Sequence, residues 1–226
     1  MKKVSVILPA AGAGVRFGGQ MSKIFASLAG EAVFLRTLGL FRARADVCQI
    51  QLVVSPETLE HINANYPGHP GLVGVDLTPG GATRTQSVRN ALANLPDVAE
   101  LVCIHDAVRP CVTGEMIDRV IAEAADCGAA ILGRAVTSTL KRVRSDGVIE
   151  KTVSRENLFE AQTPQVFSSD LITRAYDAEI SATDDASLIE AMGGDVKVVE
   201  SGPENIKITT PADLALAEAI LQSSTR

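Results

Sequence analysis

Three segments of this chain combine small, cationic and acidic residues in patterns suited to phosphate chemistry. The first is Leu8-Pro9-Ala10-Ala11-Gly12-Ala13-Gly14-Val15-Arg16-Phe17-Gly18, with Lys23 following. Glycine and alanine after a strand let backbone N–H groups approach an anion, and Arg16 and Lys23 supply charge. The P-loop pattern is absent, and Gly12 to Gly18 misses the dinucleotide fingerprint G-x-G-x-x-G by one position. A tight turn with close packing is the alternative for such a segment taken alone. The second segment is His105-Asp106-Ala107-Val108-Arg109-Pro110. A carboxylate at a strand end can hold Mg²⁺ directly or through water, or Asp106 and Arg109 can simply pair or cap the next helix. His105 reads as structural, because neither phosphate transfer nor magnesium requires an imidazole there; His61 and His69 have weaker claims still. The third is Pro79-Gly80-Gly81-Ala82-Thr83-Arg84-Thr85-Gln86-Ser87-Val88. It offers hydrogen bonds for a base or a sugar, or equally for capping a helix. Lys207, in Asn205-Ile206-Lys207-Ile208-Thr209, and Arg155 are further cations that in isolation read as solvated surface.

These segments need strands and helices to position them. Short β-branched runs alternate with longer helical stretches, the pattern of repeated βα units and a mainly parallel sheet. Strands are expected at Val4 to Leu8, Ile50 to Val54, Leu72 to Leu77, Leu101 to Ile104, Ala129 to Ala135, Gln162 to Phe167 and Asn205 to Ile208. Helices are expected at Ala32 to Arg44, from Pro56 to about Asn65, at Thr85 to Leu95, Glu115 to Ala125 and Ala186 to Met192, and from Pro211 with Thr210 as N-cap. In open parallel sheets ligands bind outside the carboxyl ends of the strands, which brings the glycine-rich loop and Asp106 side by side. Between Thr137 and Ser154 the rhythm changes to two short strands about Ser145-Asp146-Gly147. That hairpin, at about 137–156, has too few apolar residues to be core on both faces. It reads as an arm on a single domain spanning 1–226, and such an arm usually finds a partner chain.

Composition narrows the functional classes. The 226 residues are 46% hydrophobic and 21% charged, which excludes a disordered chain, a collagen-like repeat and a coiled coil. With no Trp, two Tyr and six Phe, the core must be aliphatic and base-stacking platforms are not expected. A net charge of -6 creates no general attraction for nucleic acid or an anionic membrane, so any anion must be caught by a local cluster. Cys48, Cys103, Cys111 and Cys127 form no C-x-x-C pair and read as free thiols in a reducing cytoplasm. No apolar run approaches the roughly 18–20 residues of a membrane span.

In this order, Pro9-Ala10-Ala11-Gly12-x-Gly14-x-Arg16 with Lys23, Gly80-Gly81 with Arg84 and Ser87, His105-Asp106-Ala107-Val108-Arg109-Pro110, Thr163-Pro164-Gln165, Thr183-Asp184-Asp185-Ala186-Ser187 and Asn205-Ile206-Lys207-Ile208-Thr209 strongly resemble the 2-C-methyl-D-erythritol 4-phosphate cytidylyltransferases of the non-mevalonate isoprenoid pathway. The resemblance spans nearly the whole chain. It implies an α/β fold, a Rossmann-like, mostly parallel sheet with helices on both faces and a projecting β-arm, of the nucleotide-diphospho-sugar transferase type. It further implies a homodimer that joins CTP to the phosphate of methylerythritol phosphate with Mg²⁺. By position, Arg16 and Lys23 correspond to the pair that stabilises charge on the α-phosphate, and Arg155 and Lys207 to the pair that positions the phosphate nucleophile. Pro9, Ala10, Ala11, Gly12, Gly14, Gly81, Arg84 and Ser87 fall in the nucleotide pocket. Asp106 falls beside magnesium, and Asp106, Arg109, Thr139 and Thr163 beside methylerythritol phosphate, with Thr139 and Arg155 acting in the partner subunit's site. The chain departs from the family at Ser22-Lys23-Ile24, where Pro-Lys-Gln is usual, and at Thr83 and Ser138, where acidic residues are usual. None of these departures removes a charge that the chemistry requires.

The implied reaction is attack of a phosphate monoester oxygen on the α-phosphorus of CTP, with pyrophosphate leaving. A phosphate dianion needs no general base, and the sequence offers no convincing one. Three other readings compete: a ribitol-5-phosphate cytidylyltransferase, a nicotinamide-dependent oxidoreductase and a non-catalytic homologue. The first tends to begin Leu-Ala-Gly-Gly, unlike Pro9-Ala10-Ala11-Gly12. The second lacks a ribose-binding acidic residue after strand two, where Ser55 stands. The third would not be expected to keep so many charged site residues.

Overall fold

The apolar runs become strands buried on both faces, because helices cover the sheet from either side. The computed structural model describes residues 2–11, 22–178, 180 and 182–224. In chain order it contains β1 (Val4–Pro9), β2 (Ser27–Leu28), β3 (Glu31–Ala32), α1 (Val33–Arg42), β4 (Val47–Val54), α2 (Pro56–Asn65), β5 (Asp76–Pro79), α3 (Arg84–Leu92), β6 (Leu101–Ile104) and α4 (Gly114–Cys127). There follow β7 (Ala129–Ala135), β8 (Leu140–Val143), β9 (Ile149–Val153), β10 (Phe159–Ser168), α5 (Ser169–Asp177), α6 (Asp185–Ala191), β11 (Lys197–Glu200) and α7 (Pro211–Ser224). Seven strands form one sheet in the order β11-β7-β10-β6-β1-β4-β5. Only β10 runs against its neighbours, β6 and β7. The expected mostly parallel sheet is therefore present with one antiparallel insertion.

Alternation along the strands divides the core. Val4, Val6 and Leu8 of β1, Leu52 of β4 and Leu101 and Cys103 of β6 pack with α1, α4 and Ala217 of α7. Ile7, Val53, Val102 and Ile104 point the other way, onto α3, α5 and α6. Caps set the helix starts. Ser55 accepts the Thr58 N–H ahead of Pro56, Thr113 accepts that of Met116, and Asp184 with Ser187 completes a reciprocal capping box at α6. Gly128, at φ 88°, ends α4 in the left-handed conformation.

Two strand expectations are corrected. Leu72 to Leu77 is not one strand: residues Pro70–Leu72 form a 3-10 turn, Gly74 adopts φ 75°, and only Asp76 onward pairs with β4. Asn205 to Ile208 joins no ladder: the Ile208 N–H donates to the Val108 carbonyl, and the edge strand beside β7 is β11, which periodicity did not reveal. Helix α5 was likewise not expected. The hairpin β8–β9 is present as an arm, closed by Gly147 at φ 85° and by Asp146, whose carboxylate accepts from Arg144 and from the Val148 N–H. It leaves Val143 and Ile149 half exposed. No helix among the described residues is long and apolar enough to cross a membrane.

Candidate active site

β1 lies between β4 and β6, so the chain leaves its carboxyl end at the point where strand order reverses, the usual place for a ligand crevice. The Ala10 N–H donates to the Val53 carbonyl of β4 at 2.8 Å and the His105 N–H to the Ile7 carbonyl of β1 at 2.9 Å, so the first and second segments both leave the sheet beside β1. Between them opens a cavity of about 310 Å³. Pro9, Ala10 and Ala11 line it from β1, Lys23 from the following turn, Gly81, Arg84 and Ser87 from the entry to α3, and Asp106 and Lys207 from the far side. A larger open depression, about 700 Å³ beside Pro96 and Arg174, holds none of these residues. Gly12, Gly14 and Arg16 lie outside the described residues.

The glycine turn is held by its own hydroxyls. Ser87 Oγ accepts the Gly81 N–H at 3.0 Å and donates to the Thr83 carbonyl at 2.9 Å. A Cβ on Gly80 would stand 2.7 Å from Ala11 Cβ, and one on Gly81 would collide with Gln86, so close approach demands glycine at both positions. Arg84 is committed to Asp185, with N–O distances of 2.9 and 2.6 Å, and the Tyr176 hydroxyl donates to the same carboxylate. Burial opposes the charge on Arg84, but the Asp185 carboxylate outweighs it and raises its pKa. Arg84 thus ties the start of α3 to α6, and Gln165 Oε1 secures α6 by accepting the Ala186 N–H at 3.0 Å.

Lys23 opens the 3-10 turn Lys23–Phe25. Ile24 and Phe25 are buried behind it, and the Phe25 ring packs on His61, Phe34 and Tyr66 at centroid distances of 4.1, 5.6 and 6.0 Å. The isoleucine of the Ser22-Lys23-Ile24 departure therefore acts as an apolar anchor beneath the lysine.

Asp106 is the electrostatic centre. Its Oδ2 lies 2.9 Å from Lys207 Nζ and 3.3 Å from Arg109 Nε. Burial disfavours the ionised carboxyl, yet Lys207 and Arg109 overcome it and hold the pKa at about 2. Burial lowers the pKa of Arg109, with Asp106 opposing the shift. Arg109 also donates to the Asn205 carbonyl at 2.8 Å. The 205–209 segment thus serves as a support for Arg109 and a carrier for Lys207. Thr163 is buried one layer behind, where Oγ1 accepts the Asp106 N–H at 3.0 Å. Thr139 and Arg155 are exposed on and beside the arm and line no part of this cavity; Arg155 donates to the Thr137 carbonyl.

Several residues that shape the site had no role assigned from sequence: Asp185, Tyr176, Gln162, Gln165 and Asn205. Asn205 Nδ2 bonds Gln162 Oε1 at 2.8 Å and the Thr163 carbonyl at 2.9 Å. The paired acids Asp184-Asp185 at a helix start were the available signal, since one carboxylate suffices as a cap and the other is then directed elsewhere.

The family model for 2-C-methyl-D-erythritol 4-phosphate cytidylyltransferase matches residues 4–223. A protein of that description from Rhodopirellula baltica is 45% identical over 96% of this chain and 94% of its own. A bifunctional relative from Rhodospirillum rubrum is 44% identical over 98% of this chain and 58% of its own. Among solved structures, a 4-diphosphocytidyl-2C-methyl-D-erythritol synthase from Anaerococcus prevotii superposes with a TM-score of 0.80 at 30% identity, covering 98% of this chain and 99% of that one. The Thermus thermophilus cytidylyltransferase gives 0.79 at 30% identity over 98% and 100%. A match of this extent over a site built at the carboxyl ends of β1 and β6 shows that the chain belongs to the 2-C-methyl-D-erythritol 4-phosphate cytidylyltransferases, the nucleotidyltransferases of non-mevalonate isoprenoid synthesis.

Proposed function

We propose that the cavity takes CTP against the Pro9-Ala10-Ala11 and Gly81–Ser87 walls and the acceptor phosphate on the Asp106–Lys207 side. The observation that carries this reading is the Asp106 carboxylate, ionised and gripping Lys207 and Arg109 opposite Lys23 in one cleft. A phosphate oxygen of methylerythritol phosphate attacks the α-phosphorus of CTP, forming the new P–O bond as the bond to pyrophosphate breaks. No protein base is required: the nucleophile is already anionic, and Asp106, held by two cations, is too weak a base to serve. Lys23, with Arg16 from the glycine loop, offsets charge gathering on the α-phosphate. Lys207 orients the acceptor, and Asp106 fixes where Lys207 stands.

The donor set fits magnesium as a phosphate-bound ion rather than as one caged by protein. Among the described residues there is no cluster of three potential ligands, and Asp106 supplies one carboxylate whose Oδ1 takes no hydrogen bond there. A single carboxylate with triphosphate oxygens and waters is an ordinary magnesium environment. The ion would supply positive charge to the triphosphate.

Thr139 and Arg155 complete the site in trans, in a homodimer built through the arm. Support comes from the arm's exposed Val143 and Ile149, and from the position of both residues off their own chain's cavity. The free thiols Cys48, Cys103, Cys111 and Cys127 accord with a cytoplasmic enzyme. The test is pyrophosphate release from CTP and Mg²⁺ with methylerythritol 4-phosphate and ribitol 5-phosphate supplied in parallel. Release with the first alone is expected. Release with ribitol phosphate alone would overturn the acceptor assignment, and release with neither would overturn the catalytic reading.

A further inference from the structure

His105 has no part in the roles above, yet it is completely buried with both ring nitrogens engaged. Nε2 lies 3.1 Å from the Arg109 carbonyl oxygen, which can only accept, so this nitrogen carries the proton. Nδ1 then accepts, and its neighbour at 3.1 Å is the Thr163 hydroxyl. Thr163 Oγ1 in turn accepts the Asp106 N–H, while the Arg109 N–H closes the turn onto the Asp106 carbonyl at 3.0 Å. The bonds therefore form a closed circuit: Asp106 to Thr163, Thr163 to His105, His105 to Arg109, and Arg109 back to Asp106. Phe41 packs on the imidazole at a centroid distance of 5.3 Å. Thr37 Oγ1 lies 3.0 Å from the Ala107 carbonyl, so the same turn is held from α1 as well.

We propose that His105 is a positioning residue for the transfer reaction: its Nε2–H tautomer ties Thr163 on β10 to the backbone of the Asp106–Arg109 turn, and so sets where the Asp106 carboxylate and its two cations stand. The inference rests on the proposed reading that this turn faces the acceptor phosphate. A displacement on the order of 1 Å in such a group can cost about a hundredfold in rate. Asparagine at this position reaches only the partner of Nδ1, glutamine only the partner of Nε2, and phenylalanine neither.

The tautomer is read directly by ¹⁵N NMR of histidine-labelled protein, in which His61, His69 and His105 are the only histidines and His105→Gln assigns the third. A neutral Nε2–H ring is expected at pH 7; an Nδ1–H or doubly protonated ring overturns the proposal. His105→Phe should lower kcat/KM for methylerythritol phosphate by roughly tenfold to a hundredfold. The KM for CTP should stay near that of the wild type, and His105→Gln should recover part of the loss. Equal losses for both substrates, or none, would leave the ring a packing residue and overturn the role even if the tautomer is as stated. Should His105→Phe not fold, the tautomer and the Gln and Asn variants decide. Asp106→Asn separates the two levels. A fully active Asp106→Asn overturns the site reading and the positioning role with it, whereas a damaged Asp106→Asn beside a normal His105→Phe overturns the positioning role alone.

Discussion

Asp185→Asn tests whether the start of α3 is held by charge. Asp185 is fully buried, and its side chain takes both arms of the Arg84 guanidinium and the Tyr176 hydroxyl. Asparagine keeps the shape but presents an NH₂ where one of three donors now points, and it leaves the guanidinium without its counter-charge. Removing one member of a buried ion pair costs about 3–5 kcal/mol. Arg84 retains 35% of its side-chain exposure and can partly rehydrate, so the lower end, about 3 kcal/mol, applies. For a chain of this size each kcal/mol moves Tm by about 2–4 °C, giving a fall of roughly 6–12 °C in thermal melts, with a matching loss in urea titrations. The combined change Arg84→Met, Asp185→Leu and Tyr176→Phe removes every polar group of the cluster and should regain most of that loss, since apolar replacement of a whole buried pair is often neutral. Because α3 carries Ser87 and follows the Gly81 turn, the single variant should also raise the KM for CTP more than that for the acceptor. A single variant melting within about 2 °C of the wild type would refute the reasoning.

Lys23→Ala should lower kcat by about 10²–10³ with a much smaller change in CTP binding, measured by turnover and calorimetry; unchanged turnover removes Lys23 from the mechanism. Gly80→Ala should cost about 1–3 kcal/mol and raise the KM for CTP, because its Cβ meets Ala11 across the cavity wall; a variant with wild-type KM shows that the wall yields. Ser22→Pro should stabilise by about 0.4–1 kcal/mol, since Ser22 has φ -61° and its buried hydroxyl has no hydrogen-bond partner among the described residues; a lowered Tm contradicts this. His105, facing Asp106 and Arg109, has a folded pKa of about 4 against about 6.5 when unfolded, so only the unfolded chain binds its proton between these values. Stability is thus full above pH 6.5 and falls by about 3 kcal/mol as pH drops towards 4, a slope that His105→Gln should flatten in pH-resolved urea titrations.

What could be read in the sequence was whatever depends on near neighbours. Val4 to Leu8, Leu101 to Ile104 and Ala129 to Ala135 announce strands by short, mainly apolar runs, and Pro56 and Thr210-Pro211 announce helix starts by chemistry acting within one turn. Leu72 to Leu77 misled because Leu72 and Val75 pack against the core from outside the sheet while only Leu77 lies on a paired strand, and hydrophobicity does not distinguish packing from pairing. Asn205 to Ile208 misled for a related reason. It has the composition of a strand, but its backbone bonds the Asp106–Arg109 region, with the Ile208 N–H on the Val108 carbonyl and the Arg109 side chain on the Asn205 carbonyl. The site shows the same division. Lys23, Asp106, Arg109 and Lys207 could be picked out by type, but the bonds of Asp106 to Lys207 and of Arg84 to Asp185 each join residues 101 apart, and no local pattern specifies them. That matters chemically, because Lys207, which in isolation reads as solvated surface, and Arg84, which reads as part of a helix start, are here held by carboxylates. A cation fixed in this way adds less net charge than a free one but costs less reorganisation when phosphate arrives, which is the form of stabilisation that favours a transition state over a bound substrate.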